Sequence, residues 1–397
     1  MPRVLFITDE VFLPLFNGSG RVYLDVAQTY RNRGHEVFGL SFYRRTGDTV
    51  KAEAKKAYEA LFADYRFLPG WNGRPGSLGR LGYGLREADR WLTGNVFPSN
   101  PLLFSDPVRR DVAEWVRNIQ PDEIYVHKLH AQLLLGDLLD GIKAHRVLDL
   151  HDDFIEKEKQ YRVVYKDFFR YPGLISPARL EAKQWLRLHM SRINEQRSRR
   201  IERDVLLRFD DIRVASSSEY EHYRQSSDYG SRVSYAPWPV VLPSNPTSAR
   251  ASKTYDFGFI GSSDVMNVDA ALALLDAVMP VYASKTDAPP SLLIGGRVAN
   301  VVQKLKGPQP GVVYLPVVDD IQSFYDSVNC VVVPLRYGAG VSIKLLEAIA
   351  TGVTVVTTPI GARGLPDTKG LLVGPTWEAF ADQMIAAKAG FDAVEAS

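Results

Sequence analysis

Residues 331–364 read VVVPLRYGAGVSIKLLEAIATGVTVVTTPIGARG. An apolar run ends in Pro334, and a turn carrying Gly338 and Gly340 follows. A helix with Lys344 and Glu347 in its first turns then leads to a second apolar run, Val353 to Val356. Strand, glycine turn, helix and strand form a βαβ unit, the building block of an α/β protein, and its turn is where an anionic ligand sits. With Ser342 as the helix cap, Lys344 falls in the first turn, where the helix dipole disfavours a cation by roughly 0.3–1 kcal/mol. A bound anion, shared with the N–H groups of the turn, is the simplest explanation for a lysine there. Glu347 lies at i+3 and so shares a face with Lys344. Presented together, the pair suits a nucleoside diphosphate: the ammonium meets phosphate and the carboxylate accepts two ribose hydroxyls. Spacing leaves one plain alternative open, an exposed Lys–Glu helix pair.

The stretch also resembles the C-terminal donor-binding segment of retaining glycosyltransferases of the GT-B fold, family 4. One branch of that family carries the pattern P-L-R-x-G-x-G-x-x-x-K-x-L-E-A-x-A-x-G-x-P-V-V. Pro334, Leu335, Arg336, Gly338, Gly340, Lys344, Leu346, Glu347, Ala348, Ala350, Gly352, Val355 and Val356 match it, and Thr354 stands where the pattern has proline. Many family members carry an earlier glutamate eight residues before the second; that position is Ala339 here, as in the resembling branch. Glu347 must then bind the nucleotide without that partner.

Length and composition agree with such an enzyme. A chain of 397 residues holds two domains of ordinary size, and 45% hydrophobic residues exclude a largely disordered protein. A net charge of +2 is too small to argue for nucleic acid. The one cysteine, Cys330, precedes Val331–Val333 and reads as a buried strand residue; without an internal disulfide it points to a reducing compartment. The first apolar run, Val4–Thr8, is too short for a signal peptide, and no apolar run reaches transmembrane length.

The N-terminal half opens in the same way. RVLFIT is a short buried strand, the loop DEVFLPLFNGSGR follows, and Val22, Val26 and Tyr30 mark one face of the next helix, which Gly34 ends before the strand HEVFGLSF. Gly18 and Gly20 let backbone approach a ligand closely, or simply form a flexible turn. A nicotinamide dinucleotide is disfavoured because no G-x-G-x-x-G sits tight against the strand. Residues 46–105 are irregular, basic and aromatic, with Trp71 and Trp91. They read as an insertion that recognises acceptor or as a satellite core under a long loop.

Two later strands end in polar residues, as strands lining a ligand crevice do. Glu123 to Val126 is followed by His127, and Val147 to Leu150 by His151, Asp152 and Asp153. The resemblance places a functional histidine at the first of these ends, where His127 would hydrogen-bond the donor sugar or orient the acceptor hydroxyl. Asp152 or Asp153 is a general base for the acceptor or a helix cap, and sequence does not separate these. Consecutive His-Asp-Asp is poor ligand spacing for zinc, so no metal is expected. Residues 179–208 read as a helix with an arginine-rich face. That face would suit anionic lipid, but interspersed Glu195, Glu202 and Asp204 favour an ordinary salt-laced surface.

Prolines 237, 239, 243 and 246 mark a linker. Beyond it, YDFGFIGSSDVMNVDA resembles the family's first C-terminal unit, F-x-G-x-x-x-x-x-N-x-x-A, with Gly261 at its turn. Many members place a basic pair in this turn; here stand Ser262, Ser263 and Asp264, which shifts the phosphate contacts onto Lys344, Arg336 and Arg297.

The expectation is a GT-B protein: an N-terminal Rossmann-like domain over 1–240, a linker over 241–253 and a nucleotide-sugar domain over 254–397, with two parallel sheets facing a central cleft. The resemblance implies retaining transfer of a hexose from a nucleoside-diphosphate sugar to a hydroxyl of a cell-surface glycan or lipid-linked precursor. His127, Lys344, Arg336 and Asp152 are the candidate catalytic residues. Glu347, Gly338, Gly340, Ser342, Arg297, Gly18, Gly20 and Gly261 are the candidate donor contacts. No cofactor, metal or nucleic acid is expected, and the location is cytoplasmic, extending to the inner face of the membrane. Two rivals share the fold, a non-catalytic sugar-nucleotide or glycan-binding protein and an NDP-sugar epimerase.

Overall fold

The computed structural model describes residues 1–14, 18–43, 50–69, 106–153, 155–156, 159–160, 163, 195–238, 253–287, 289–318, 320–365 and 370–395. The chain divides into two compact units, Met1–Ile155 with Glu181–Trp238, and Glu156–Leu180 with Pro239–Ser397. The proline run marks only the division after Trp238. The grouping of Glu156–Leu180 with the second unit has no such compositional mark. Trp71, Trp91 and most of the 241–253 linker lie outside the described residues.

The first unit runs β1 (Arg3–Thr8), α1 (Gly18–Asn32), β2 (Glu36–Tyr43), α2 (Ala52–Leu61), β3 (Tyr65–Pro69), α3 (Asp106–Ile119) and β4 (Glu123–His127). It continues with α4 (Lys128–Leu135), β5 (His145–Asp149), α5 (Glu195–Leu206), β6 (Asp211–Val214), α6 (Ser217–Tyr223) and β7 (Val233–Tyr235). Its seven strands lie in the order β3-β2-β1-β4-β5-β6-β7, and the ladders are parallel, with Val4 opposite Val37 on one side and Glu123 on the other. Val4, Leu5, Phe6 and Ile7 are all buried, as a strand covered on both faces requires. One face packs Leu5, Ile7, Val126 and Leu148 against α3, α4 and α5, and the other packs Phe6, Tyr125 and Val147 against α1 and α2. On α5, Arg199 pairs with Glu195 at 3.1 Å and Arg203 with Asp228 at 2.5 Å, so these arginines serve an ordinary salt-laced surface.

The second unit runs β8 (Tyr255–Ile260), α7 (Val265–Ala273), α8 (Met279–Lys285), β9 (Leu292–Gly295), α9 (Arg297–Lys306), β10 (Val312–Leu315) and α10 (Ile321–Asp326). It ends with β11 (Val328–Val333), α11 (Ile343–Ala350), β12 (Thr354–Thr357), β13 (Leu371–Val373) and α12 (Trp377–Glu395). Six parallel strands take the order β10-β9-β8-β11-β12-β13. A π turn over Leu274–Val278 joins α7 to α8. The resulting helix, Val265–Lys285, is long and apolar enough to cross a membrane by length and composition. Its Val268, Ala271, Leu272, Leu274, Val278 and Tyr282 are instead buried in the core of the unit, together with Cys330 on β11.

These are two Rossmann-like units, the GT-B fold. Each sheet reverses its strand order once, between β1 and β4 in the first and between β8 and β11 in the second. Open α/β sheets bind ligands outside the carboxyl ends of the strands at such a switch point. The fold therefore singles out the residues after β1, β4, β8 and β11.

Candidate functional site

In the first unit, the two residues beyond the ends of β4 and β5 are held in backbone conformations that L-residues rarely adopt. Lys128 has φ 67° and His151 φ 49°. Left-handed backbone at non-glycine positions costs of order 1–3 kcal/mol and persists where surrounding structure enforces it. The surrounding structure here is a buried polar cluster. His127 Nδ1 and His151 Nε2 share a hydrogen bond of 3.0 Å, and Asp149 Oδ2 lies 3.4 Å from the first nitrogen and 3.6 Å from the second. Tyr125 donates its hydroxyl to the same carboxylate oxygen at 3.2 Å.

Beside it, Asp9 follows β1, accepts a hydrogen bond from the Tyr23 hydroxyl at 2.7 Å and pairs with the Lys128 ammonium at 3.4 Å. Burial opposes ionisation of both aspartates. The Lys128 ammonium and the Tyr23 hydroxyl outweigh it at Asp9 and hold that carboxyl down at about 2; His151 and His127 do the same for Asp149. Burial drives the imidazoles the other way, His151 down to about 3, so both rings are neutral at physiological pH. His127 Nε2 is buried and has no hydrogen-bond partner in the protein. Fixed at Nδ1, the imidazole keeps Nε2 uncommitted among the described residues.

Three donor atoms of His127, Asp149 and His151 lie within 4.8 Å of one another, close enough to hold a metal ion. The two ring nitrogens are directed at each other, however, which makes this a hydrogen-bonded triad rather than a set converging on a cation. Asp152 stands outside the triad: its N–H closes a tight turn onto Leu150 at 2.5 Å. Asp153 donates its own N–H to Glu219 at 2.9 Å and faces His222 at 3.8 Å. The polar partner that matters is Asp149, the last residue of β5, which its place in the sequence marks only as strand interior. Gly18 and Gly20 belong to the first turn of α1, not to the loop before it.

The second unit presents a different arrangement around its switch point. Ser342 stands at the N-cap position of α11 without a side-chain capping bond, and Gly340, at φ 67°, turns the chain into it. Lys344 is half-buried, and its ammonium bonds Asn267 Oδ1 and lies 5.0 Å over the Phe259 ring. Desolvation pushes the lysine down to about 8, with Asp264 and Glu347 opposing the shift. Asp264 caps α7 by accepting from the Met266 N–H at 3.0 Å. Glu347 accepts from the Tyr325 hydroxyl at 3.1 Å, and that hydroxyl also reaches the Lys344 carbonyl at 3.2 Å. Gly261 leaves no room for a side chain, because a Cβ there would come within 2.9 Å of Asn267 Cγ. Arg297, the first residue of α9, is exposed.

Arg336 sits elsewhere in the electrostatic scheme. Its guanidinium grips the buried Asp269 of α7 with two hydrogen bonds, one of 3.0 Å from Nε. Fork-to-fork pairing of this kind commits the charge. Neither Asp269 nor Tyr325 carries a sequence signal beyond helical position, since their partners lie 67 and 22 residues away.

Residues 254–388 match the family profile described as glycosyl transferases group 1. No curated protein sequence matches the chain significantly. Among solved structures, HepE of Anabaena in complex with UDP and glucose is similar over 97% of this chain and 89% of its own, with 14% identity and a TM-score of 0.60. Sucrose-phosphate synthase of Thermosynechococcus elongatus aligns over 98% and 91%, with 13% identity and a TM-score of 0.57. The E. coli trehalose-6-phosphate structure bound with UDP-2-fluoro glucose aligns over 97% and 91%, with 11% identity and a TM-score of 0.55. The profile match over the second unit and the fold shared along nearly the whole chain bear out the resemblance to GT-B glycosyltransferases carried by residues 331–364.

Proposed function

We propose that this protein moves a hexose from a nucleoside-diphosphate sugar to a hydroxyl acceptor, a glycan or lipid-linked precursor, with retention of anomeric configuration. One observation carries the reading: a half-buried lysine in the first turn of α11, whose hydrogen-bond acceptor is a neutral amide, stands one helical turn from Glu347. A partly desolvated ammonium hydrogen-bonded to a neutral amide keeps donor capacity that a diphosphate can take. The UDP complexes of HepE support the same ligand class.

In this reading the donor's ribose hydroxyls take Glu347, whose carboxylate Tyr325 holds in place. Lys344 and the N–H groups of the turn meet the charge that grows on the leaving diphosphate, an interaction strongest in the transition state. The leaving phosphate removes the proton of the acceptor hydroxyl as the new glycosidic bond forms on the same face. His127 Nε2 accepts a hydrogen bond from a hydroxyl of the donor sugar or the acceptor, and Asp149 and His151 keep its ring in one orientation. No metal takes part, so turnover should persist in excess EDTA. We place the enzyme in the cytoplasm, at the membrane's inner face where the acceptor is lipid-linked.

A thermal-shift screen with UDP, GDP, ADP, CMP and dTDP and their sugar conjugates, on wild type and Lys344→Ala, tests the assignment. Selective stabilisation by one diphosphate, lost in the variant, is the expected outcome. No shift with any nucleotide would overturn it. Binding without turnover on any acceptor would favour the sugar-nucleotide-binding reading, to which the absent basic pair at Ser262 and Ser263 also points.

A further inference from the structure

Among the described residues, four cations flank the carboxyl ends of the strands in the second unit, and they differ in what they touch. Arg297 is exposed, Arg336 is spent on Asp269, and Lys344 has a neutral amide. The fourth is Arg363, in the turn after β12. Its Nε is buried, without a hydrogen-bond partner, and no carboxylate pairs with its guanidinium among the described residues. Leaving a buried donor unsatisfied costs about 1–3 kcal/mol, which a fold retains where a ligand supplies the acceptor.

The turn that carries Arg363 is pinned beside the glycine turn. Thr357 donates its hydroxyl to the Val333 carbonyl at 2.8 Å, and Thr358 donates to the Leu335 carbonyl at 2.5 Å. Those carbonyls lie at the end of β11, where the glycine turn begins. Gly361 keeps the contact close, since a Cβ there would lie 2.0 Å from Thr357 Oγ1. The result brings a guanidinium to the glycine turn: a Cβ added to Gly338 would meet Arg363 Nη2 at 3.7 Å. The Gly338 N–H itself is donated to Gln160 Oε1 at 2.5 Å, so an oxygen acceptor already sits where an anion's oxygen would.

We infer that Arg363 is a donor-binding residue whose guanidinium takes phosphate oxygens of the nucleoside diphosphate at the Gly338 turn. It supplies the second positive charge that Arg336 and the Ser262–Ser263 turn do not. The inference rests on the donor-site reading above. A guanidinium fork matches phosphate geometry in a way a lysine ammonium does not, so the assignment is specific in shape as well as charge. Guanidinium and ammonium then divide the work, with Arg363 reached from the β12 side of the turn and Lys344 from the helix.

The test is calorimetric titration of UDP, UMP, uridine and inorganic pyrophosphate into wild type, Arg363→Met and Arg363→Lys, with unfolding midpoints recorded for each. Methionine keeps the packing of the stem and removes the charge. Arg363→Met should weaken UDP and pyrophosphate by about 10–100-fold, the range of a charged hydrogen bond, with uridine unchanged. Arg363→Lys should recover part of the loss. An unchanged UDP-to-uridine ratio in Arg363→Met would overturn the inference, as would equal weakening of UDP and uridine, which marks a structural role. If wild type itself prefers neither UDP nor pyrophosphate over uridine, and Lys344→Ala changes nothing, the donor-site reading falls and this inference with it.

Discussion

The two switch points of this protein are built from the same topology and reach opposite electrostatic states. Past β4 and β5 of the first unit, charged and polar groups answer one another: Asp9 with Lys128 and Tyr23, Asp149 with both histidines. Past β11 and β12 of the second, among the described residues, Lys344 bonds an amide oxygen and lies over a ring face, and Arg363 Nε has no hydrogen-bond partner. The first cluster holds a geometry, and its product is the His127 ring fixed at Nδ1. In the proposed function the second keeps its cations for a ligand. On that reading the contrast separates residues that orient from residues that bind, and it predicts different consequences for breaking each.

The largest effect should come from Lys344→Ala, which removes the half-buried charge of the proposed donor site. Nucleoside-diphosphate affinity should fall by about 100-fold or more, while the unliganded protein loses no stability, because the variant also removes a desolvated ammonium. Titration calorimetry paired with unfolding measurements reads both quantities. A variant that binds diphosphate like wild type would erase the contrast between the units.

His127→Ala should act on the other side of the comparison. Turnover should drop by about 100-fold with diphosphate affinity within a factor of two, since positioning contributes to rate rather than to nucleotide binding. Unchanged turnover would reduce the first unit's triad to a structural feature.

The pH dependence follows from Lys344, whose folded pKa is down at about 8 from the ordinary 10.5. Between those values the unfolded chain binds more protons than the folded one, so the contribution of this residue to stability rises with pH through that window. Below about pH 8 both states are protonated and the burial penalty stands in full. Diphosphate affinity should move in the opposite sense, falling by up to about tenfold per pH unit above the folded pKa. Lys344→Met should abolish both trends, and parallel pH series of unfolding and of titration would show it.

Tyr325→Phe should give the smallest effect. It removes the hydroxyl that holds Glu347 and should weaken nucleotides by about 3–10-fold, with a 2′,3′-dideoxy analogue unaffected. Equal weakening of both would mean that Glu347 does not serve the ribose.

Much of this architecture is legible in the chain itself. The run 331–364 contains its own strand, turn, helix and strand within a few dozen residues, and each signal is local: apolar runs for strands, glycine for the turn, spacing for the Lys344–Glu347 face. The second unit's sheet and the place of its glycine turn follow from such local terms, as do the strand-end places of His127 and His151. Reading RVLDLHDDF as strand plus polar end points to Asp152 and Asp153, however, while the triad uses Asp149. Alternation alone does not show that the last strand residue faces two imidazoles across neighbouring loops.

The sequence by itself determined the α/β class and the βαβ unit at 331–364, whose turn it marks as a candidate anion site. Those depend on interactions between residues close in the chain. Only the tertiary structure decided which cation is available. Arg336 is singled out by its place in a motif, and the fold neutralises it with Asp269, 67 residues earlier. Arg363 lies beyond Val356, the last matched position of the family pattern, and the threonines of β12 and the turn after it set it beside Gly338 with its Nε unmet. Whether a charge is spent or held open is a property of its neighbours in space, because burial and pairing are settled by packing and not by spacing along the chain.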